Sequence, residues 1–372
     1  MSLPSPRRIP EFEGLRGLLC WWVVVDHALL QSGYTEAGLG RGLRILVHGD
    51  YAVDVFIILS GFVIHKLWHD AREPYPLFIA RRFLRLWPAY VVCLLGSLAV
   101  RPSIASVLAH APVGDSVGSL EQFARWKQNW QFEHDYFGAH LLAHLPMLHS
   151  AIPETLLPRS SIAFLGSAWS ISLEWQFYLL APLLFFGLLK GRSFGWLIFA
   201  CLAGAGWLMR YTPPLGVWFP MEAFLPQKLL LFGVGMISHE FWRSMHENGE
   251  RIAPALLGFA AIVLFATLSI PLALWIAVLA AVFSAHSWFK SLLNSVPFQV
   301  LGRVSYSTYL GHMLVLWALQ SFVFRALPNA TALQMLASLL LVGAPLILAL
   351  SLALHRWVEM PAIRFGRELS PR

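Results

Sequence analysis

A histidine deep inside an apolar run is the first residue of this chain that could do chemistry. In EGLRGLLCWWVVVDHALL, residues 13–30, Arg16 precedes His27 by eleven positions. On a helix that spacing places the two within about 20° on one face, about 16 Å apart along the axis. A neutral imidazole can take a proton from a hydroxyl, and a guanidinium can grip an anion with two parallel hydrogen bonds. Ionisable groups in a bilayer are costly and usually face a protein interior, so the stripe is a functional candidate.

Three more apolar stretches and one basic stretch carry polar residues at helical spacing. In YAVDVFIILSGFVIHKLWHD, Asp54 and Gly61 fall on nearly one face, and Ser60 and Gly61 allow close helix approach. A buried aspartate needs a partner, and His27 is the expected one: Asp54 would orient the ring and stabilise the imidazolium. In RRFLRLWPAY, Arg82 and Arg85 are three apart. They suit a phosphate ligand, or a basic anchor at the membrane surface with Trp87 at the interface. SAWSISLEWQFYLL sets Ser170, Glu174 and Tyr178 on one face. Glu174 could act as acid or base, hold an acceptor hydroxyl, or pair with an arginine. LGRVSYSTYLGHMLV gives Ser305, Tyr309 and His312 at i, i+4 and i+7, with His312 either a second catalytic group or a core histidine.

Other combinations are weaker. His134, His140, His144 and His149 lie beside Glu133 and Asp135, and His140/His144 have a zinc-compatible spacing. No HExxH arrangement or nearby cysteine accompanies them, so no metal is expected. Cys20, Cys93 and Cys201 are scattered through apolar segments and are expected to pack in the core. Asn329-Ala-Thr331 is one short match to a glycosylation acceptor.

The elements that must position these residues are membrane helices. Hydrophobic residues make up 57% of the 372 and charged residues only 13%, with a mean hydropathy of +0.62. A soluble domain of this length needs more charge to cover its surface. The expectation is therefore an all-α polytopic membrane protein with about ten transmembrane helices, near 14–32, 51–69, 86–101, 169–189, 193–209, 226–242, 252–270, 272–289, 304–326 and 333–355. The pair around Ser269-Ile-Pro271 has the shortest connection, and fusing it would flip everything downstream. With the N-terminus inside, 18 of the 27 lysines and arginines fall on the cytoplasmic side and 9 opposite, which satisfies the positive-inside rule and puts both termini in the cytoplasm. The basic residues sit at segment ends rather than on one soluble face, which argues against nucleic acid as a partner. Asp26 and His27 in the first span, with no small-residue cleavage site, argue for a retained helix rather than a removed signal. Residues 102–168 form the one long non-spanning segment, aromatic and histidine-rich, expected to lie at the outer interface or fold back over the bundle. One domain covers 1–372.

Taken together, these stretches resemble the membrane acyltransferase-3 family, the bacterial integral-membrane O-acyltransferases. The matching pieces are EGLRGLLCWWVVVDH, VDVFIILSGFVI, RRFLRLWP, WSISLEWQFY, LGRVSYSTYLGH and the closing HRWVEMP, in family order from residue 13 to residue 361. Glu13 stands where many relatives carry aspartate, and keeps the charge. The resemblance implies acyl-coenzyme A as a donor substrate on the cytoplasmic side of the inner membrane, no permanently bound cofactor, and acylation of a hydroxyl on a carbohydrate, lipid-linked glycan or glycoside. Acetyl is the default group. It also implies His27 as the catalytic histidine with Arg16 in the same essential pair, and Arg82 and Arg85 at coenzyme A. Asp54, Glu174 and His312 match further polar positions of the family.

The competing class is a proton-coupled transporter or flippase, in which the buried Arg, His, Asp and Glu form a proton path. Buried ionisable residues fit that equally well. No two-half repeat of the transporter kind is visible, however, and RRFLR suits a phosphate ligand.

Overall fold

The computed structural model describes residues 9–71, 73–110, 112–114, 117–189, 193–212, 216–246, 269–284 and 287–369. Those residues are helical with no strand among them. In chain order the main helices are α1 (Pro10–Gln31), α2 (Gly49–Ala71), α3 (Tyr75–Ala109), α4 (Val117–Asp135), α5 (Phe137–His144), α6 (Trp169–Leu189), α7 (Ser193–Tyr211), α8 (Leu225–His246), α9 (Ile270–Phe283), α10 (Trp288–Leu293), α11 (Val296–Arg303), α12 (Ser305–Ala326), α13 (Ala332–Leu341), α14 (Gly343–Leu354) and α15 (Met360–Glu368). A π-helical turn, His355–Glu359, joins the last two.

Among the described residues, three helical runs are long and apolar enough to cross a bilayer: Gly49–Asp70, Tyr75–Ala109 and Ala332–Glu368. Ile198–Tyr211 and Ile270–Phe283 are shorter apolar helices. The expected segment 86–101 is the middle of a 35-residue helix that runs through Pro88 and Pro102. The expected segment 333–355 lies within the run Ala332–Glu368, with one turn residue, Val342, between α13 and α14. The segment expected at 252–270 lies almost wholly outside the described residues. After it, Ser269 stands at the N-cap position of α9 without a side-chain capping bond, and the first turn holds Pro271, a residue that loses no hydrogen bond there.

Two close approaches set the frame. A Cβ on Gly61 of α2 would overlap the carbonyl of Phe232 on α8, and one on Gly235 of α8 would overlap the carbonyl of Ile58 on α2. Each glycine admits the other helix's backbone, the small-residue contact typical of membrane helices. On the other side, Gly14 and Gly17 of α1 admit the backbones of Leu293 and Gly302. α10 and α11 are thereby pressed against the first turns of α1, where Glu11 accepts from Asn294 Nδ2 at 3.0 Å.

The segment 117–168 folds into the bundle rather than lying flat on it. Trp87 of α3 donates to the Leu145 carbonyl at 3.1 Å, and the buried Tyr90 hydroxyl lies 2.7 Å from His144 Nδ1. Ser167 Oγ donates to the Tyr309 carbonyl of α12 at 3.0 Å. The path includes three non-glycine residues at positive φ, Met147, Arg159 and Phe164, conformations that persist only when surroundings impose them. Here anchors on α3, α6 and α12 impose them.

Candidate active site

Residues from five of the quoted stretches line one cavity, whose wall does not include His27, Asp54, Arg82 or His312. Its wall includes Arg16 of α1, Ser60 of α2, Arg85 of α3, Ser170 and Glu174 of α6, and Ser305 and Tyr309 of α12. Val53, Phe56, Ile57, Leu86, Ile171, Phe232 and Tyr306 complete it with apolar surface. The atom-free space, counting its open mouth, is about 660 Å³. A few convergent polar groups on an apolar lining are the usual make-up of a small-molecule site.

Helical register explains which side chains reach it. On α2, positions 53, 56, 57 and 60 form one face and line the cavity. Positions 54, 58, 61 and 65 form the adjacent face, turned to α8. Asp54 therefore meets Lys228 of α8, Nζ to Oδ1 at 2.8 Å, and not His27. Lys228 also bonds Glu222 at 3.0 Å, and Glu222 bonds Arg210 at 2.8 Å. The expected Asp54–His27 pair is thus replaced by a chain of alternating charges, because a lysine partner offsets the burial of a carboxylate better than a neutral ring can.

His27 is instead paired with His312. Its Nδ1 lies 2.8 Å from His312 Nε2, with the rings nearly parallel at 10°. His312 Nδ1 lies 3.1 Å from the Thr308 carbonyl. A carbonyl can only accept, so His312 Nδ1 carries a proton; with the ring neutral, its Nε2 is a lone pair. His27 Nδ1 must then donate, which leaves the lone pair of His27 on Nε2. The backbone of α12 thereby selects the tautomer of a residue on α1. His312 is fully buried one turn beyond the cavity residue Tyr309, at a ring separation of 6.1 Å.

Glu174 accepts hydrogen bonds from Tyr178 and, at 3.5 Å, from Ser60 Oγ. Of the three roles open to it, ion pairing with an arginine is not realised within 4.0 Å among the described residues. Ser170 Oγ donates to the Tyr309 hydroxyl at 2.7 Å.

Arg16 and Arg85 both line the cavity, and among the described residues neither makes a hydrogen bond or an ion pair. Glu174, Glu359 and Glu13 are the carboxylates within electrostatic reach of Arg85. Arg82 stacks its guanidinium 5.9 Å over the Phe78 ring, with Nε buried and unbonded. It is not in the cavity wall. Its neighbour Arg81 is engaged structurally, with Glu73 and with the Gly366 carbonyl at 3.1 Å.

Several residues of this neighbourhood escaped the sequence reading. Lys228 looked like a basic residue at a segment end. Tyr306, whose hydroxyl donates to the Leu86 carbonyl at 2.6 Å, was hidden between Ser305 and Ser307. Glu359 lies in the quoted HRWVEMP motif; it accepts from Ser307 at 3.0 Å and from His355 at 2.9 Å, inside the π-helical turn. Such turns often mark functional sites, and an acidic residue in an apolar run was the signal to follow. Cys20 and Cys93 are buried as expected, whereas Cys201 is exposed on α7.

Comparison with known proteins identifies the family. A family model described as an acyltransferase domain matches residues 9–356. Acyltransferase MdmB of Streptomyces mycarofaciens is 25% identical over 97% of this chain and 93% of its own length. The putative peptidoglycan O-acetyltransferase YrhL of Bacillus subtilis is 25% identical over 48% of this chain and 24% of its own. Peptidoglycan O-acetyltransferase OatA of Listeria monocytogenes is 25% identical over 55% of this chain and 28% of its own. This chain therefore aligns with only about a quarter of each of the two peptidoglycan enzymes. No solved structure matches. A family match across nearly the whole chain, on the segments that build the cavity, makes this protein a member of the membrane acyltransferase-3 family.

Proposed function

We propose that this protein transfers an acyl group, acetyl by default, from acyl-coenzyme A to a hydroxyl of a carbohydrate or glycoside acceptor at the inner membrane. The single observation that carries the donor assignment is the pair Arg16 and Arg85 in the wall of one largely apolar cavity, neither in a hydrogen bond or an ion pair among the described residues, with Arg82 one turn before Arg85. Buried arginines without protein partners are costly, and a diphosphate offers them bidentate acceptors. The apolar wall between Val53 and Phe232 suits a pantetheine arm, with the thioester carried toward Tyr309 and His312.

In this scheme the acceptor hydroxyl approaches His27 Nε2. As the oxygen attacks the thioester carbonyl, its proton passes to Nε2, and the coenzyme A thiolate leaves. His312 holds His27 in the required tautomer through Nδ1. General-base removal of this kind contributes about 10²–10⁴-fold. Asp54, once expected beside His27, acts only through the α2–α8 pairing. In the rival covalent route the acyl group rests on His27 before transfer.

Membrane insertion follows from the apolar helices, and we place the Arg16–Arg85 side of the cavity and both termini toward the cytoplasm. The contacts support that sidedness. The start of α1 meets α10, and the start of α3 meets α15, all ends that the charge bias puts on one side.

The test is consumption of labelled acetyl-coenzyme A by purified protein with muropeptide, polysaccharide and macrolide-glycoside acceptors. Acceptor-dependent release of coenzyme A with an O-acetylated product is expected. Solute movement without donor turnover would instead point to transport. Label retained on the protein without acceptor would select the covalent route.

A further inference from the structure

The stripe that joins α2 to α8 ends in a cluster that the acyl-transfer site does not use. Beyond Asp54–Lys228 and the glycine contact, the same face of α2 brings His65 against His239 of α8. The two Nδ1 atoms lie 2.8 Å apart, with ring planes at 71°. Both residues are buried, at 2% and 1% exposure. Glu240 follows, with Oε1 3.7 Å from His65 Nε2. One ligating atom from each of His65, His239 and Glu240 lies within 4.8 Å of the others.

We propose that His65, His239 and Glu240 bind one divalent transition-metal ion of the zinc class, which fastens α2 to α8. Two imidazole nitrogens and one carboxylate oxygen are the donor set that such ions prefer over magnesium or calcium. Metal–ligand bonds of about 2.0–2.2 Å put tetrahedral ligand atoms about 3.3 Å apart. The Nδ1 contact therefore opens by about half an ångström, within the reach of small χ rotations.

Protonation does not oppose binding. A hydrogen bond between two Nδ1 atoms needs the proton on one ring and a lone pair on the other. Moving that proton to Nε2 of its own ring frees both Nδ1 lone pairs, with no net proton release. Arg243 Nη2 donates to Glu240 Oε2 at 2.7 Å and leaves Oε1 on the Nε2 side of His65, from which the carboxylate swings toward the two Nδ1 atoms to complete the site. His69, one turn beyond His65, accepts from Arg243 Nη1 at 3.2 Å and extends this outer layer. Such outer-layer bonds fix ligand orientation in metal sites. Three protein ligands leave a fourth position for water.

The test titrates chelator-stripped, full-length protein in detergent with Co²⁺ and then Zn²⁺. One equivalent of Co²⁺ with the strong visible bands of a tetrahedral site is expected. Zn²⁺ should displace it and raise the unfolding temperature, because only the folded chain assembles the ligands. The variants Glu240→Gln and His65→Gln/His239→Gln should lose the bands and the thermal shift. Absence of saturable Co²⁺ binding by wild type overturns the proposal, as does an unchanged spectrum in the double variant. X-ray absorption of the zinc-loaded wild type decides the matter even if a variant does not fold. A shell with two imidazoles supports the site, and a shell with none refutes it.

Discussion

His27 Nδ1 lies 2.8 Å from His312 Nε2, and the Thr308 carbonyl beyond it orders both protons. The catalytic candidate is therefore positioned by a helix 285 residues away in sequence, not by the aspartate on its neighbouring helix. His27→Ala should abolish transfer, a loss of about 10²–10⁴ in kcat, while the protein still inserts and folds. His312→Leu keeps the base but releases its tautomer, so kcat should fall by less, with the donor KM unchanged. Full-length pH–rate profiles check this, and wild-type kcat in either variant would refute the assignment.

Arg85 and Arg16 line the cavity, and among the described residues neither is hydrogen-bonded or ion-paired. Arg85→Ala should raise the donor KM by about 10–100-fold with a smaller change in kcat, the value of one or two charge-assisted bonds. Arg85→Lys should restore little, since an ammonium cannot fork to two oxygens. Binding of coenzyme A itself, measured by calorimetry, separates donor affinity from chemistry. An unchanged KM in Arg85→Ala would remove the phosphate assignment.

Asp54 and Lys228 are largely shielded, at 17% and 13% side-chain exposure. Losing one partner of a buried pair costs about 3–5 kcal/mol, whereas replacing both by apolar groups can be neutral. Asp54→Leu leaves Lys228 paired with Glu222 and should lower the unfolding temperature by less than Lys228→Met, which strips Asp54 of its partner; Asp54→Leu/Lys228→Met should recover most of the Lys228→Met loss, because Glu222 keeps Arg210. Additive losses in the double variant would show that the pair is not coupled.

His144 and His149 sit in the segment that folds over α3, outside the spans. Burial pulls His149 down to about 3 from the ordinary 6.5, and burial also pulls His144 well below that value. Both are neutral when folded but charge readily when unfolded. Their contribution is thus fully present above about pH 6.5 and declines as pH falls through 6.5 toward 3, by at most about 1.4 kcal/mol per pH unit for each ring. Hydrogen-exchange protection of residues 137–168 should fall between pH 6.5 and pH 4.5, and His149→Phe should flatten the fall. Protection independent of pH in wild type would contradict the buried neutral state.

Much of the site was legible because helical periodicity is a local property. Arg16, Glu174, Ser305 and Tyr309 each stood on a polar stripe in an apolar run, and such stripes must face an interior. The family motifs then joined the stripes in one fold, and the cavity contains residues from five of those motifs. What periodicity could not supply was the identity of the facing helix. Asp54 shares its face with Ile58, Gly61 and His65, and nothing local says whether that face meets α1 or α8. The glycine contact with Phe232 and Ile58 decided for α8, and so gave Asp54 to Lys228 and His65 to His239. The sequence by itself thus determined the membrane class, the family and the polar residues that had to be buried. Only the tertiary structure decided their partners, because pairing depends on which backbones pack closely across 174 or 285 positions of chain.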